Sequence, residues 1–182
     1  MNLLKESKRW HDDATVLVES SKIIELLEKF GKVTPTGSYV YDLMLDSDID
    51  FFVSTEKPTR KLADEMTIAL INNGWWNSIM FCDWSTNVPA RPYFCIKQDF
   101  RGHRWKVDIL MVSPSELAEM LPPRELYSRY SDAQKEQILE LKVARRDGLL
   151  PEDIETVVIY DAVLKNDVQG VDSFKRYLEK QE

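Results

Sequence analysis

Two acidic side chains share one face of a predicted strand, and this feature restricts the possible folds more than any other in the sequence. Asp48 and Asp50 alternate with apolar residues in the stretch 48–53, which has the composition of a β-strand. Successive side chains of a strand point to opposite faces, so both carboxylates project from one face while their apolar neighbours enter a core. Carboxylates this close repel each other, and proteins tolerate them mainly where a divalent cation neutralises them. The stretch therefore predicts a half-buried strand with a metal site on one face.

Magnesium is the cation that best fits this pair of carboxylates. Mg2+ is usually bound through one or two carboxylates together with substrate phosphate oxygens, which suits a protein that handles a nucleoside triphosphate. The alternatives are a solvated acidic turn that includes Asp46, or a calcium loop. A calcium loop of the helix-loop-helix kind requires Gly at its sixth position and Glu at its twelfth, whereas apolar residues follow here at 51–53.

Asp108 supplies a third acid on a different predicted strand. It stands among apolar residues in the stretch 104–112, where an unpaired ionised carboxylate is expensive to bury. If this strand lies beside residues 48–53, Asp108 can hold a second metal ion or take the proton from an attacking hydroxyl. A neighbouring Arg or Lys that pairs with the carboxylate is the other explanation for its position.

Gly37 and Ser38 precede the first acidic strand and form a candidate phosphate site. If they end one strand and open a short helix, the glycine permits close approach of the backbone to a ligand. The serine hydroxyl and the amides at the start of the helix can then hold a phosphate group.

The chain up to residue 113 has the pattern of a mixed sheet with helices packed on it. The predicted helices run from a cap at Asp12 or Asp13 to Gly31 and from Pro58 to Gly74. The predicted strands are 48–53, 76–84, 91–99 and 104–112. Residues 114–182 have the pattern of a C-terminal helical unit, with helices predicted at 132–147, 151–166 and 171–180. We therefore predict an α+β fold with two domains, 1–113 and 114–182.

Three basic residues, Lys142, Arg145 and Arg146, lie on the first helix predicted in this C-terminal unit. They can reach triphosphate oxygens if that helix lines a cleft, or they can form a solvated helical face. Lys142 is the first candidate for nucleotide binding, because apolar residues flank it and a buried stem would direct its amine inward.

Taken together, the Gly-Ser pair, a short spacer, the Asp-x-Asp strand and the later strand aspartate resemble the DNA polymerase beta-like nucleotidyltransferase superfamily. The resemblance covers residues 37–53 and 104–112, and the helical tail looks like that of small stand-alone bacterial members. It implies that Asp48, Asp50 and Asp108 bind the metal ions and carry catalysis, and that the Gly-Ser pair contacts the triphosphate. The spacer has Tyr41 and Asp42 where many members carry Gly or a small residue.

The resemblance implies a magnesium-dependent nucleotidyltransferase with two Mg2+ ions, which moves a nucleoside monophosphate from a triphosphate, preferably ATP, to a hydroxyl acceptor. The chain has 24 Lys and Arg against 31 Asp and Glu, and this net charge of -7 works against a broad grip on nucleic acid. A small-molecule acceptor is therefore preferred, with protein or RNA as the alternative. A non-catalytic nucleotide-binding module with the same fold is a further possibility.

The remaining composition is that of an ordinary globular protein, with 43% hydrophobic and 30% charged residues. The sequence has no apolar run long enough to span a membrane, and its start lacks the apolar segment of a signal peptide. We expect a soluble, cytoplasmic protein, in which Cys82 and Cys95 are reduced thiols rather than a disulfide or a zinc site.

Overall fold

A computed structural model describes residues 2–83, 91–121 and 130–180 of the chain. Its strands are β1 (Lys32–Thr36), β2 (Asp48–Ser54), β3 (Ser78–Asp83), β4 (Pro92–Phe100) and β5 (His103–Val112). Its helices are α1 (Leu3–Ser21), α2 (Ile23–Leu27), α3 (Gly37–Val40), α4 (Arg60–Asn73), α5 (Pro114–Met120), α6 (Asp132–Arg146), α7 (Thr156–Asn166) and α8 (Val171–Leu178). The predicted α+β class is confirmed. The last residue of the strand predicted at 76–84 lies outside the described residues.

The five strands form one mixed sheet in the order β1-β2-β5-β4-β3. β2 and β5 run parallel at its centre, and every other neighbouring pair is antiparallel. In the central pair Asp50 lies opposite Asp108, and Asp48 lies opposite Lys106. The alternation of side chains and the pairing of the strands thus place all four of these residues on one face of the sheet.

The other face of the sheet is the core of the protein. Ile49 and Phe51 of β2, with Val107 and Ile109 of β5, are buried there against side chains of α1, α2 and α4. Each such side chain contributes about 2 kcal/mol to folding when it is removed from water. A shift of β2 by one residue would turn these side chains out and bring the acids into the core, so the burial fixes the register.

The first helix begins earlier than its sequence indicates. α1 starts at Leu3 rather than at Asp12 or Asp13, and the side chain of Asn2 accepts a hydrogen bond from the Lys5 N–H at 3.0 Å. Asp13 forms an ion pair with Arg101 instead of a cap. The predicted single helix is also divided, because Lys22 adopts a left-handed conformation with φ of 53° between α1 and α2.

Two of the later helices begin after their predicted first residues. α4 begins one residue after Thr59, whose side chain accepts a hydrogen bond from the Leu62 N–H, so the predicted first residue, Pro58, lies before the helix. It ends where predicted, at Gly74, which has a φ of 69°. α7 begins at Thr156 rather than at residue 151.

The chain divides into two compact units. One comprises Trp10–Pro122 and contains the sheet, and the other comprises Met1–Arg9 with Pro123–Glu182 and contains α6, α7 and α8. The proposed domain limits at 1–113 and 114–182 stay a prediction. In the described part of the chain, every helix is too short or too polar to pass through a bilayer.

Candidate active site

The three predicted acids meet on the exposed face of the central strands. One carboxylate oxygen of each of Asp48, Asp50 and Asp108 lies within 4.8 Å of the others. This grouping follows from the parallel pairing of β2 and β5, which places Asp50 directly opposite Asp108. We call these three residues the acidic triad. Their side chains are half-buried, so the sheet limits the access of water to the triad without closing it off.

Gly37 lies against this triad, where β1 gives way to α3. Its φ of 68° is one that residues with a side chain rarely adopt. A Cβ atom at this position would also collide with Oδ2 of Asp50. Conformation and space therefore both require glycine. Ser38 follows Gly37 as the second residue of α3, so the predicted sequence of strand, Gly-Ser and short helix is present.

The spacer that follows is held in place despite its unusual residues. Tyr41 is buried, and Asp42 takes a left-handed conformation with φ of 55°. The Nε2 atom of His11 on α1 lies 3.4 Å from Oδ1 of Asp42. The backbone N–H of Leu43 donates to the carbonyl of Ser38 at 3.0 Å. The spacer is thus anchored to α1 and to the start of α3.

Lys106 is a site residue that the sequence analysis missed. Its Nζ atom lies 3.0 Å from Oδ2 of Asp48 and 3.0 Å from Oδ2 of Asp108. The signal was present, because Lys106 stands two residues before Asp108 in a strand and therefore on the same face. The lysine partner that was offered as one explanation for Asp108 is present, and its role as a metal ligand stays a prediction.

Tyr93 is the second missed residue, and its hydroxyl donates to Oδ1 of Asp108 at 2.8 Å. It lies on β4, which pairs with β5 on the side away from β2. Sequence alone gives no sign of this contact, because it depends on the strand order and on the β4–β5 register. With Tyr93 on one oxygen and Lys106 on the other, both oxygens of Asp108 have partners.

The triad carries more negative charge than Lys106 offsets. Burial raises the pKa of Asp50 to about 7, with further increases from the charges of Asp48 and Asp108. Burial also raises the pKa of Asp48, although Lys106 acts in the opposite direction. A cluster whose acids resist ionisation is one that an added cation would stabilise.

The two partners of the triad keep fixed charge states at neutral pH. Burial lowers the pKa of Lys106, but its hydrogen bonds to Asp108 and Asp48 outweigh that effect and raise the pKa above its ordinary value. Lys106 is therefore an ammonium group. Burial, followed by the hydrogen bond to Asp108, raises the pKa of Tyr93, so its hydroxyl remains a neutral donor.

The donor set of the triad fits a hard divalent cation such as Mg2+. The three residues offer carboxylate oxygens, the ligands that Mg2+ prefers. In addition, Oδ1 of Asp48 is buried and has no hydrogen-bond partner among the residues that the structure describes. A buried carboxylate oxygen without a donor is costly, and coordination to a metal would remove that cost.

Lys142, the remaining candidate, lies on α6 in the helical unit and is buried, with 6% of its surface exposed. Its burial agrees with the expectation that apolar neighbours enclose its stem. Its assignment to the nucleotide stays a prediction. Arg145, on the same helix, donates to the carbonyl of Ile154 at 2.6 Å and to the hydroxyl of Thr156 at 3.1 Å, so it ties α6 to the start of α7.

Comparison with known proteins agrees with this geometry. Residues 20–80 match the nucleotidyltransferase domain family. The predicted nucleotidyltransferase resemblance is confirmed. The matched segment contains the Gly-Ser pair and the Asp-x-Asp strand of this nucleotidyltransferase fold, while Asp108 lies beyond it.

A solved structure has the same nucleotidyltransferase fold. A chain in the structure of the poly(A) polymerase complex GLD-2–GLD-3 superposes with a TM-score of 0.57 at 14% sequence identity. The match covers 90% of the present chain but 57% of the other, so the chain spans little more than half the length of that relative. At this identity the likeness establishes the fold. No curated protein matches the chain in sequence.

Proposed function

We propose that the protein is a magnesium-dependent nucleotidyltransferase that moves a nucleoside monophosphate from a triphosphate to a hydroxyl acceptor. The observation that carries this proposal is the meeting of Asp48, Asp50 and Asp108 within 4.8 Å on one face of the sheet. The buried Oδ1 of Asp48, which has no hydrogen-bond partner in the described part of the chain, supports it further. The match of residues 20–80 to a nucleotidyltransferase family supports the reaction class.

In this proposal the acidic triad holds two Mg2+ ions and orients the substrates. When held by these three acids, Mg2+ would neutralise charge on the triphosphate and on the departing pyrophosphate. Asp108 accepts the proton of the acceptor hydroxyl, whose oxygen forms a bond to the α-phosphorus as the bond to pyrophosphate breaks. Asp48 and Asp50 hold the geometry from the neighbouring strand. The product is a nucleotidylated acceptor.

Gly37 and Ser38 are the proposed contacts to the triphosphate. Because Gly37 has no side chain and lies against the carboxylate of Asp50, its backbone can approach a ligand bound beside the triad. Lys142 is proposed as a further contact to triphosphate oxygens, on the weaker ground that it is a buried lysine in the helical unit. ATP is the proposed donor.

A small molecule is the proposed acceptor, because the net charge of -7 disfavours a broad phosphate-binding surface. RNA and protein are the alternatives. The similarity to a chain from a poly(A) polymerase complex concerns the fold. RNA is therefore included among the acceptors to be tested, although a small molecule is the expected one. A non-catalytic nucleotide-binding module is the rival from another class.

Calorimetry with ATP, with and without Mg2+, tests the proposal against this rival. We expect binding that depends on Mg2+ and that is lost in Asp48→Asn. Asp46→Asn is the matched control, because Asp46 is an exposed acid two residues away and outside the triad. Binding of ATP that is independent of both Mg2+ and Asp48 would favour the non-catalytic module.

Incubation with each labelled nucleoside triphosphate and a panel of acceptors then tests the chemistry. The panel should contain aminoglycosides, tRNA and cell protein, with Asp108→Asn as the inactive control. Label on a small molecule would support the proposed acceptor class, and label on tRNA or protein would replace it. Absence of label on any acceptor, with Mg2+-dependent ATP binding intact, would contradict transfer to the classes tested.

A further inference from the structure

The ammonium group of Lys106 occupies a position that a metal ion would also favour. It lies 3.0 Å from one oxygen of Asp48 and 3.0 Å from one oxygen of Asp108, on two different strands. A cation that bridges two carboxylates in this way reduces their repulsion. Lys106 therefore bridges two of the three acids of the triad.

The neutralisation by Lys106 is incomplete. Three carboxylates and one ammonium group leave a net charge of about -2 when all are ionised. Within the described ranges, Asp50 has no ion pair with the lysine, and the charges of its two neighbours act on it. A divalent cation can contact all three acids and carries twice the charge of the lysine, so the site favours exchange of one for the other.

We infer that Lys106 is a displaceable internal cation, which stabilises the metal-free triad, competes with Mg2+ for it and leaves when Mg2+ binds. This inference rests on the proposed function, since it assumes that the triad is a metal site. In it Lys106 is a positioning residue, because it acts on the metal ligands.

The contacts of Asp108 indicate which partner leaves. Its Oδ1 accepts from Tyr93 and its Oδ2 from Lys106. Lysine has a long flexible stem, and the side chain of Lys106 is 39% exposed, so it can turn toward water without loss of core packing. The hydroxyl of Tyr93 is a neutral donor that does not compete with a cation for the charge of Asp108. Tyr93 therefore retains Asp108 while Lys106 departs.

Titration of Mg2+ into wild-type protein and Lys106→Met, followed by calorimetry, tests the inference without any measurement of turnover. We expect Lys106→Met to bind Mg2+ roughly ten- to a hundredfold more tightly. The ammonium group that competes with the ion is gone, and the net charge of the site is more negative by one unit. Lys97→Met is the matched control. Lys97 is the exposed register partner of Lys106 on β4 and has no ion pair in the described part of the chain. We expect its Mg2+ affinity to stay within about twofold of wild type.

Thermal unfolding gives a second readout. Lys106→Met should melt below wild type without metal, and the difference should narrow at saturating Mg2+. If the variant folds only with Mg2+ present, that result supports the inference, because the ion then replaces the missing ammonium group. If it folds under neither condition, Lys106→Arg decides, and its Mg2+ affinity should be at or below that of wild type.

The outcomes separate the inference from the proposed function. Equal or weaker Mg2+ binding by Lys106→Met, with clear binding by wild type, would overturn the role of Lys106 and leave the metal site intact. Tighter binding by Lys106→Arg than by wild type would overturn it as well. Failure of wild type and of every variant to bind Mg2+ would remove the metal site and the inference with it.

Discussion

The two faces of β2 and β5 have the same backbone but opposite physical roles. One face presents Ile49, Phe51, Val107 and Ile109, which are buried and contribute to folding. The other presents the acidic triad, where burial, with a further contribution from the neighbouring carboxylates, raises the pKa of Asp48 and Asp50. A single pair of strands thus gains stability on one face and loses some of it on the other. Substitutions on the apolar face should therefore change the free energy of unfolding, and substitutions on the acidic face should change Mg2+ affinity and the transfer rate.

The largest expected effect is on the acidic face. Asp108→Asn should lower the rate of nucleotidyl transfer by about a thousandfold or more, because it removes a residue proposed both as a metal ligand and as the proton acceptor. The melting temperature in the absence of metal should not fall, since one negative charge of a crowded cluster is gone. Transfer assays and thermal unfolding of the same preparation make the comparison. If Asp108→Asn lowered the melting temperature as well as the transfer rate, the acidic face would also contribute to folding, contrary to this expectation.

The corresponding change on the apolar face is Phe51→Ala. Phe51 is 1% exposed, and its truncation should cost about 3–5 kcal/mol of the free energy of unfolding. Denaturant unfolding measures this cost. The fraction of protein that remains folded should still bind Mg2+ with nearly wild-type affinity, since the triad lies on the opposite side of the sheet. A loss of Mg2+ affinity per folded molecule would contradict that expectation.

Gly37→Ala tests the turn beside the acidic face, where one change should affect both stability and Mg2+ binding. The new methyl group must sit at a positive φ and collides with the carboxylate of Asp50, so we expect a loss of about 2 kcal/mol in stability. We also expect weaker Mg2+ binding. Gly102→Ala is the control, because Gly102 also has a positive φ, 78°, but a methyl group there meets nothing within 4 Å. Equal Mg2+ affinity in the two variants would refute the specific role of the Gly37 contact.

A smaller effect is expected from pH. The pKa of Asp50 is about 7 in the folded protein, against 3.8 for an ordinary aspartate side chain, so the folded state binds more protons between these values. Stability without metal should therefore fall as pH rises from about 4 to about 7 and level off above, by roughly 1–2 kcal/mol, because solvent screening at a half-buried group reduces the roughly 4 kcal/mol of the full shift. Asp48, whose pKa is also raised, acts in the same direction. Unfolding at several pH values should show a shallower slope in Asp50→Asn, and an unchanged slope would refute the assignment.

The smallest expected effect is that of Tyr93→Phe. Loss of the hydrogen bond to Oδ1 of Asp108 should lower kcat by about fivefold while KM for the triphosphate stays unchanged, because the tyrosine positions the proton acceptor. Steady-state kinetics separates these two constants. Tyr39→Phe is the control, since the hydroxyl of Tyr39 lies 3.4 Å from that of Thr15 and forms no hydrogen bond to Asp108 within the described residues. A rise in KM alone would assign Tyr93 to substrate binding instead.

Local patterns predicted much of the fold and the identity of the three acids. The strands at 48–53 and 104–112 follow from alternation and apolar content, and the end of α4 follows from Gly74. Lys106 was within reach of the same alternation, since it stands two positions before Asp108 on the same strand. The start of α1 was misjudged, because Asp12 and Asp13 are good capping residues that here lie inside the helix.

Other features depend on contacts that no local pattern contains. The hydrogen bond between Tyr93 and Asp108 requires the order β2-β5-β4 and the β4–β5 register. Lys22 divides α1 from α2 with a left-handed conformation, and a lysine does not predict that conformation as a glycine would. A glycine at position 37 suggests a close approach of the backbone to another group. That this group is Oδ2 of Asp50, which leaves no space for a side chain, is visible only in the structure.

The parallel pairing of β2 with β5 has a consequence for how the protein is made. Asp50 and its partner Asp108 are separated by α4, β3 and β4 along the chain, so loop closure over that whole stretch must precede their meeting. A chain still emerging from the ribosome has its Asp-x-Asp strand long before it has all three acids of the proposed metal site. The capacity to capture an ion should therefore appear late and abruptly in synthesis, when the fifth strand joins the sheet.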